Sequence, residues 1–149
     1  MPHIDYCNII WCNNYPTYIK KVEVLQKKVI RAISWSKLDA PSNPIFHKLS
    51  LLKLNECNYL HNACIMYNVV NKLNNRLCDL IPISYPSHTY DTRNTDHIQG
   101  KKRDLICTSQ SVVCRGPEVW NELETKITLS TSLFIFKKSL RQQLLRKYT

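Results

Sequence analysis

The chain has 149 residues, enough for one domain with its own hydrophobic core. An apolar share of 44% and a charged share of 21% are typical of a globular protein, and no apolar run reaches the roughly eighteen residues of a membrane span. Lysine and arginine total 21 against 11 acids, and the resulting net charge of +10 favours a polyanionic partner, nucleic acid before a membrane surface.

The amino terminus, MPHIDYCNIIW, has neither a basic lead-in nor a small-residue cleavage site, so it does not read as a signal peptide. We therefore expect an intracellular protein, nuclear or cytoplasmic, without a membrane partner. Seven cysteines in such a chain are expected to be free thiols, because an odd number cannot pair completely.

The first long predicted helix covers residues 17–34 and has two opposed faces. One side of the helical wheel carries apolar residues and is expected to be buried: Val22, Leu25, Val29, Ala32 and Ile33. The other side carries cations within an arc of about 120°: Lys20, Lys21, Lys27, Lys28 and Arg31. A solvated face normally mixes charges of both signs, whereas Glu23 is the single acid here. An ordinary solvated face and a phosphate-binding face remain open alternatives.

Two further helices are predicted after a proline-containing linker. Asn43 is expected to cap a short helix over 44–49, and Asn55 a long helix over 56–73. The long helix is apolar on most sides and is expected to form the buried centre. A polar loop containing HTYDTRN follows over 81–100.

The stretch CRGPEVWNELE, residues 114–124, predicts a structural corner. Val112 and Val113 favour a strand over 110–115, which a second strand over 104–108 would complete as a small hairpin. Gly116 would then turn the chain, and Pro117 would occupy the first position of a helix over 117–123. Trp120 is expected to be buried there together with Leu123.

A basic helix over 132–147 closes the chain, with an apolar stripe of Leu133, Phe136, Leu140 and Leu144. The whole pattern predicts a mainly α fold, a helical bundle with at most one small β-hairpin. Residues 1–80 form its first helical region and 81–100 its polar loop. Residues 101–149, with the short strands, the corner and the terminal helix, are expected to pack on the same domain.

The sequence offers no catalytic, metal or cofactor site. Cys57, His61 and Cys64 share a helical face, but residues seven apart rise about 10.5 Å, too far for two short thiolates on one zinc ion. Two separated glycines cannot build a phosphate loop, and the acids are too scattered to hold two catalytic metal ions. We therefore expect no enzyme activity from this chain and no small-molecule substrate.

Several segments, in order, resemble the reverse transcriptases of non-LTR retrotransposons of the jockey-like and chicken-repeat-like kind. They are HIDYCNIIW, LQKKVIRAI, IFHKLSLLKL with IMYNVVN, HTYDTRN, RGPEVWNELE and SLFIFKKSLRQQLL. The chain departs from the family pattern at Cys12, where glycine is usual, at Asp91, where asparagine is usual, and at Glu124, where proline is usual.

The resemblance covers the region after the polymerase palm, so it implies a thumb that grips template–primer, without the metal-binding carboxylates of the palm. It also implies that Met1 starts inside a decayed element copy. The expected partner is the backbone of RNA or an RNA–DNA duplex, bound without sequence preference because phosphate contacts do not read bases. Five such contacts predict a log–log salt slope of roughly −4 to −5. A host-domesticated protein-interaction module, using exposed parts of the central helix, and a pseudogene product without function remain alternatives.

Overall fold

The computed structural model describes residues 2–13, 15–85, 97–100 and 111–148, and these ranges are mainly helical. In chain order the helices are α1 (Pro2–Asp5), α2 (Asn8–Trp11), α3 (Pro16–Ile33), α4 (Ser42–Lys48), α5 (Leu54–Val70), α6 (Asn75–Leu80), α7 (Val112–Asn121), α8 (Thr125–Thr128) and α9 (Leu133–Arg146). The described ranges contain no strand, and one isolated antiparallel bridge joins Ser84 and Gln99. The predicted mainly α fold is confirmed.

Helix α5 is the central helix of the fold, as its apolar sequence predicted. It packs against α7 and α9 on one side and against α2 and α6 on others. Its Ala63, Met66 and Tyr67 are buried, and the Tyr67 ring packs on Phe136 of α9, with the rings tilted by 36° and their centroids 4.7 Å apart. Burial on several faces explains why α5 lacks a distinct polar side.

The predicted strand over 110–115 is wrong, because α7 begins at Val112 and continues through Gly116 and Pro117. Pro117 lies inside the helix rather than at its first position. Val112 and Val113 are half-buried against Met66 of α5, so tertiary packing overrides their strand propensity. The companion strand over 104–108 and the HTYDTRN segment lie outside the described residues.

Gly116 serves close packing rather than a change of chain direction. A β-carbon added there would lie 2.7 Å from Met66 Sδ and 3.1 Å from Met66 Cγ, closer than atoms pack. Because glycine has no β-carbon, the backbone of α7 can rest directly on the Met66 side chain. The close contact of α7 with Met66 of α5 therefore depends on glycine at position 116.

Three residues in the second half of the motif fasten α7 to its surroundings. Trp120 is half-buried and stacks on Phe136 with centroids 6.0 Å apart, and the half-buried Leu123 packs on the same cluster. Asn121 accepts a hydrogen bond from the Ile98 amide and donates one to the Ile98 carbonyl, both at 2.9 Å. This side chain thus pairs with the passing backbone as a neighbouring strand would.

Helix α5 also begins earlier than predicted, and Asn55 is not its cap. Gln26 of α3, which is buried, accepts a hydrogen bond from the Leu54 amide and donates one to the Leu52 carbonyl, both at 3.0 Å. The side chain of Asn55 instead donates to the Glu23 carboxylate. A glutamine from another helix therefore satisfies one of the free amide donors at the start of α5.

Three helices end in the same way despite the shortage of glycine. Trp35, Ser50 and Lys72 follow α3, α4 and α5 with φ values of 52°, 51° and 52°, the left-handed region where glycine is usual. In each case the next amide bonds back across the helix end, as Ser36 does to the Arg31 carbonyl at 3.0 Å. These are Schellman ends built on strained non-glycine residues.

Candidate nucleic-acid interface

Helix α3 holds the predicted cationic residues, and it contacts the rest of the protein along one narrow face. Pro16 stands in its first turn, and its buried residues are Ile19, Gln26 and Ile30. Ile19 packs with Cys12 and Leu54, whereas Ile30 packs with residues of α4 and with Tyr148. The remainder of the helix surface faces outward.

The predicted buried face of α3 is therefore wrong. Leu25, Val29 and Ile33 have exposed fractions of 57%, 46% and 56%, and Ala32 is exposed as well. Of the five apolar residues predicted to be buried there, Val22 alone reaches the packed edge, where it is half-buried. Gln26 lies at the centre of that edge because its two backbone hydrogen bonds, rather than apolar contact alone, fix the orientation of α3.

The five predicted cations do lie on one side of α3, in two rows. At about 100° per residue, Lys20, Lys27 and Arg31 fall within about 40°, and Lys21 and Lys28 lie about 60° or more further round. Lys20, Lys21 and Lys28 are exposed, and Lys27 and Arg31 are half-buried. Lys20 and Lys21, the first residues of the two rows, line a shallow open depression together with Thr17, Val24 and Leu25.

These cations have no acidic partner within the described ranges. The ion pair found there joins Arg115 and Glu118, at 3.8 Å on the exposed surface of α7. Glu23, the acid of α3, turns toward Asn55 of α5 and accepts its hydrogen bond. Among the described side chains, none therefore neutralises the positive charge of this face by an ion pair.

Arg31 differs from the four lysines, because part of its guanidinium has a structural role. Its Nε donates to the Ala40 carbonyl at 2.9 Å and so ties the linker to the helix. Lys21 in turn lies with its Nζ 5.9 Å from the centroid of the Tyr18 ring, a cation–π contact on the exposed surface. Four lysines and a partly engaged arginine make up the candidate interface.

The cysteine and histidine residues of α5 lie where the sequence placed them, on the side facing α9. Cys57 is buried, and His61 and Cys64 are half-buried. Burial and the nearby Asp5 carboxylate raise the pKa of the Cys57 thiol to about 12, so it stays protonated at neutral pH. In the portion of the chain that the structure describes, no group of three His, Cys, Asp or Glu side chains is arranged to hold a metal ion.

The basic character of α9 follows from the sequence, but the fold also creates a grouping of cations that the sequence does not predict. Lys137 and Arg141 face His61 of α5 across a cleft. Their spacing of four residues predicts a shared helical face, but the partner helix is visible only in three dimensions.

Within the described ranges, no helix combines the length and the apolar character needed to cross a bilayer. Comparisons with protein-family models, with curated proteins and with solved structures give no match, so the likeness to a reverse transcriptase thumb stays a prediction from the sequence.

Proposed function

We propose that this chain is a non-catalytic nucleic-acid-binding module that grips the backbone of RNA or of an RNA–DNA duplex. On this proposal it is the thumb-derived remnant of an RNA-directed DNA polymerase from a non-LTR retrotransposon. The observation that carries the binding function is the two rows of cations on α3, which have no acidic partner among the described residues. The ordered series of family-like motifs supports the ancestry.

The dimensions of the α3 face suit a phosphate backbone. From Lys20 to Arg31 the helix rises about 16 Å at 1.5 Å per residue. One strand of a DNA duplex carries a phosphate about every 3.4 Å along its axis, so this face matches roughly five successive charges. Flexible lysine side chains can adjust to the somewhat different spacing of an A-form duplex.

Backbone contact of this kind predicts binding without sequence preference. Ammonium groups attract phosphate oxygens in any sequence, and these contacts position a protein without reading base edges. We therefore expect similar affinities for unrelated duplexes of equal length.

The test is a charge reversal restricted to the three exposed lysines. In Lys20→Glu/Lys21→Glu/Lys28→Glu, about 1 kcal/mol of attraction is lost per contact in a water-like dielectric, so duplex affinity should fall about 100-fold. The matched control is Lys72→Glu/Arg76→Glu/Lys126→Glu, which changes net charge equally at exposed positions away from α3. Fluorescence anisotropy with a labelled RNA–DNA duplex measures both.

Equal losses in the two triple variants would show that net charge, not the α3 face, governs binding. Full affinity in the α3 variant would place the site elsewhere, with the basic helix α9 as the next candidate.

A protein-interaction module is the second candidate, and the apolar stripe of α3 favours it. Leu25, Val29 and Ile33 lie close together on the helix and are all exposed, whereas α5, the central helix, offers little free surface. Contiguous exposed apolar residues are typical of a surface that a partner covers.

The two candidates respond oppositely to two sets of substitutions. Leu25→Ser/Ile33→Ser should abolish capture of a protein partner and leave duplex binding intact if α3 serves both roles on different faces. If the double variant still captures the partner and the triple lysine variant does not, the contact is purely electrostatic. The apolar stripe would then have no part in binding the partner.

A further inference from the structure

A small cleft with a volume of about 220 Å³ lies where α1, α5 and α9 meet. Its apolar lining includes Leu52 and Leu60, and its polar lining includes Asp5, His61, Lys137 and Arg141. Gln26 of α3 reaches the same cleft, but both ends of its amide are already bonded to backbone groups. The cationic side of the cleft is therefore built by α5 and α9, independently of the lysines on α3.

Lys137 and Arg141 present two positive charges to this cleft from successive turns of α9. The guanidinium of Arg141 is held in place because its Nη2 donates to the Ser50 carbonyl at 2.9 Å. Neither cation has a carboxylate within ion-pair distance in the described ranges. Asp5 is the acid of the cleft and raises the pKa of the nearby Cys57 thiol, whose Sγ donates to the Leu52 carbonyl at 3.8 Å.

His61 adds a third nitrogen-bearing group, and its charge depends on what the cleft contains. It is half-buried, and burial lowers the pKa of its imidazole; the Lys137 charge lowers it further, while Asp5 opposes this. Burial in the cleft therefore favours the neutral imidazole. An anion beside it would favour the protonated form and raise the pKa.

We propose that this cleft binds one phosphate-sized anion, held by Lys137, Arg141 and His61. A volume of about 220 Å³ is below the roughly 300–1,000 Å³ of pockets for drug-sized ligands, which favours a compact anion over a whole nucleotide. The cleft joins an arginine fork with a lysine, groups that bind phosphate oxygens well. The anion is a free phosphate or a phosphate group of a nucleic acid.

The experiment follows the His61 imidazole by NMR while pH is varied, with and without inorganic sulfate at constant ionic strength. Sulfate keeps its charge across this pH range, so any change in titration belongs to the protein. The His61→Gln variant identifies the resonance among the five histidines. We expect sulfate to raise the His61 pKa, and sulfate to bind more tightly as pH falls.

Two neighbouring lysines provide the matched comparison. Lys137→Ala should weaken sulfate binding about tenfold or more and abolish the shift, because a charged hydrogen-bond donor is lost. Lys138→Ala removes an equally exposed lysine that does not line the cleft and should leave both unchanged. Arg141→Lys keeps the charge while losing the fork, and we expect intermediate affinity.

A His61 pKa unaffected by sulfate in the wild-type chain would overturn the proposal. Equal effects of Lys137→Ala and Lys138→Ala would also overturn it, since they would reveal general screening rather than a site.

Competition then distinguishes the sources of the anion. If inorganic phosphate displaces sulfate and the oligonucleotides do not, the ligand is a free anion. If only a 5′-phosphorylated oligonucleotide displaces sulfate, the ligand is a terminal phosphate. If the 5′-hydroxyl form of that oligonucleotide displaces sulfate equally well, the ligand is a backbone phosphate. Because α3 takes no part in the cationic side, the triple α3 variant should still bind sulfate. Loss of duplex binding in that variant therefore tests the proposed function separately.

Discussion

Helices α3 and α9 have similar sequences in outline but different relations to the body of the protein. Both are amphipathic with basic polar faces. Helix α9 buries its apolar stripe, with Phe136, Leu140 and Leu144 all packed in the main cluster. Helix α3 leaves most of its stripe exposed and is attached through Ile19, Gln26 and Ile30. An apolar stripe therefore identifies the buried face of a helix only where a neighbouring element covers it.

This difference separates residues that stabilise the fold from residues free to bind. Substitutions around α5 and α9 should act on the free energy of unfolding, whereas substitutions on the outer faces of α3 should act on binding. The following predictions test that division, from the largest expected effect to the smallest.

Phe136→Ala should have the largest effect on stability. The ring is fully buried between Tyr67 and Trp120, with centroid distances of 4.7 and 6.0 Å. Its removal should lower the free energy of unfolding by about 3–5 kcal/mol, measured by denaturant titration followed by circular dichroism. The exposed Phe134 provides the control, because Phe134→Ala should change it by less than about 0.5 kcal/mol. Equal effects of the two would contradict the packing of α9 on α5.

Gln26→Ala should be a damaging change on α3, although it removes a polar side chain. It leaves the Leu54 amide and the Leu52 carbonyl without their partners in a buried position, which should lower the free energy of unfolding by about 2–3 kcal/mol. Gln142→Ala removes an exposed glutamine from α9 and should have little effect. If the two glutamines prove equally dispensable, α3 is not attached by this side chain.

Gly116→Ala should destabilise the protein even though alanine is the better helix former. The new β-carbon would crowd Met66 Sδ at 2.7 Å, and Met66 is fully buried. We expect a net loss of about 1–2 kcal/mol, because crowding a packed core outweighs the gain in helix propensity. The effect should shrink in a Met66→Ala background. A double-mutant cycle without coupling would refute the close contact between α7 and α5.

Leu25→Ala should have the smallest effect on stability, within about 0.5 kcal/mol, because this side chain is 57% exposed. Leu140→Ala on α9 is the matched comparison, since Leu140 is fully buried and should show a loss of about 2–5 kcal/mol. A large loss at Leu25 would mean that the apolar stripe of α3 is covered after all.

The sequence predicts helices well where local signals and tertiary packing agree. Ser132 illustrates this agreement, because its hydroxyl accepts the Ile135 amide at the start of α9 as an N-cap should. The start of α5 could not be read locally, because its amide partner is Gln26, 28 residues upstream. Gly116 and Pro117 suggested a break, yet both lie in a helix that contact with α5 maintains.

The candidate interface shows the same division. The arc of cations follows from helical periodicity, so the sequence predicts it. The engagement of Arg31 with the Ala40 carbonyl depends on how the linker folds back, and no local pattern reveals it. The cleft near His61 likewise needs α5 and α9 to be placed together.

The most direct test of the central claim is the salt dependence of binding to an RNA–DNA duplex. The four lysines on α3, which have no acidic partner in the part of the chain that the structure describes, predict a log–log slope of about −3 to −4. Arg31 adds up to about one more if its remaining nitrogens also reach a phosphate. The Lys20→Glu/Lys21→Glu/Lys28→Glu variant should flatten this slope by about three, equally for unrelated sequences. An unchanged slope in that variant, or no binding by the wild-type chain at low salt, would contradict the account.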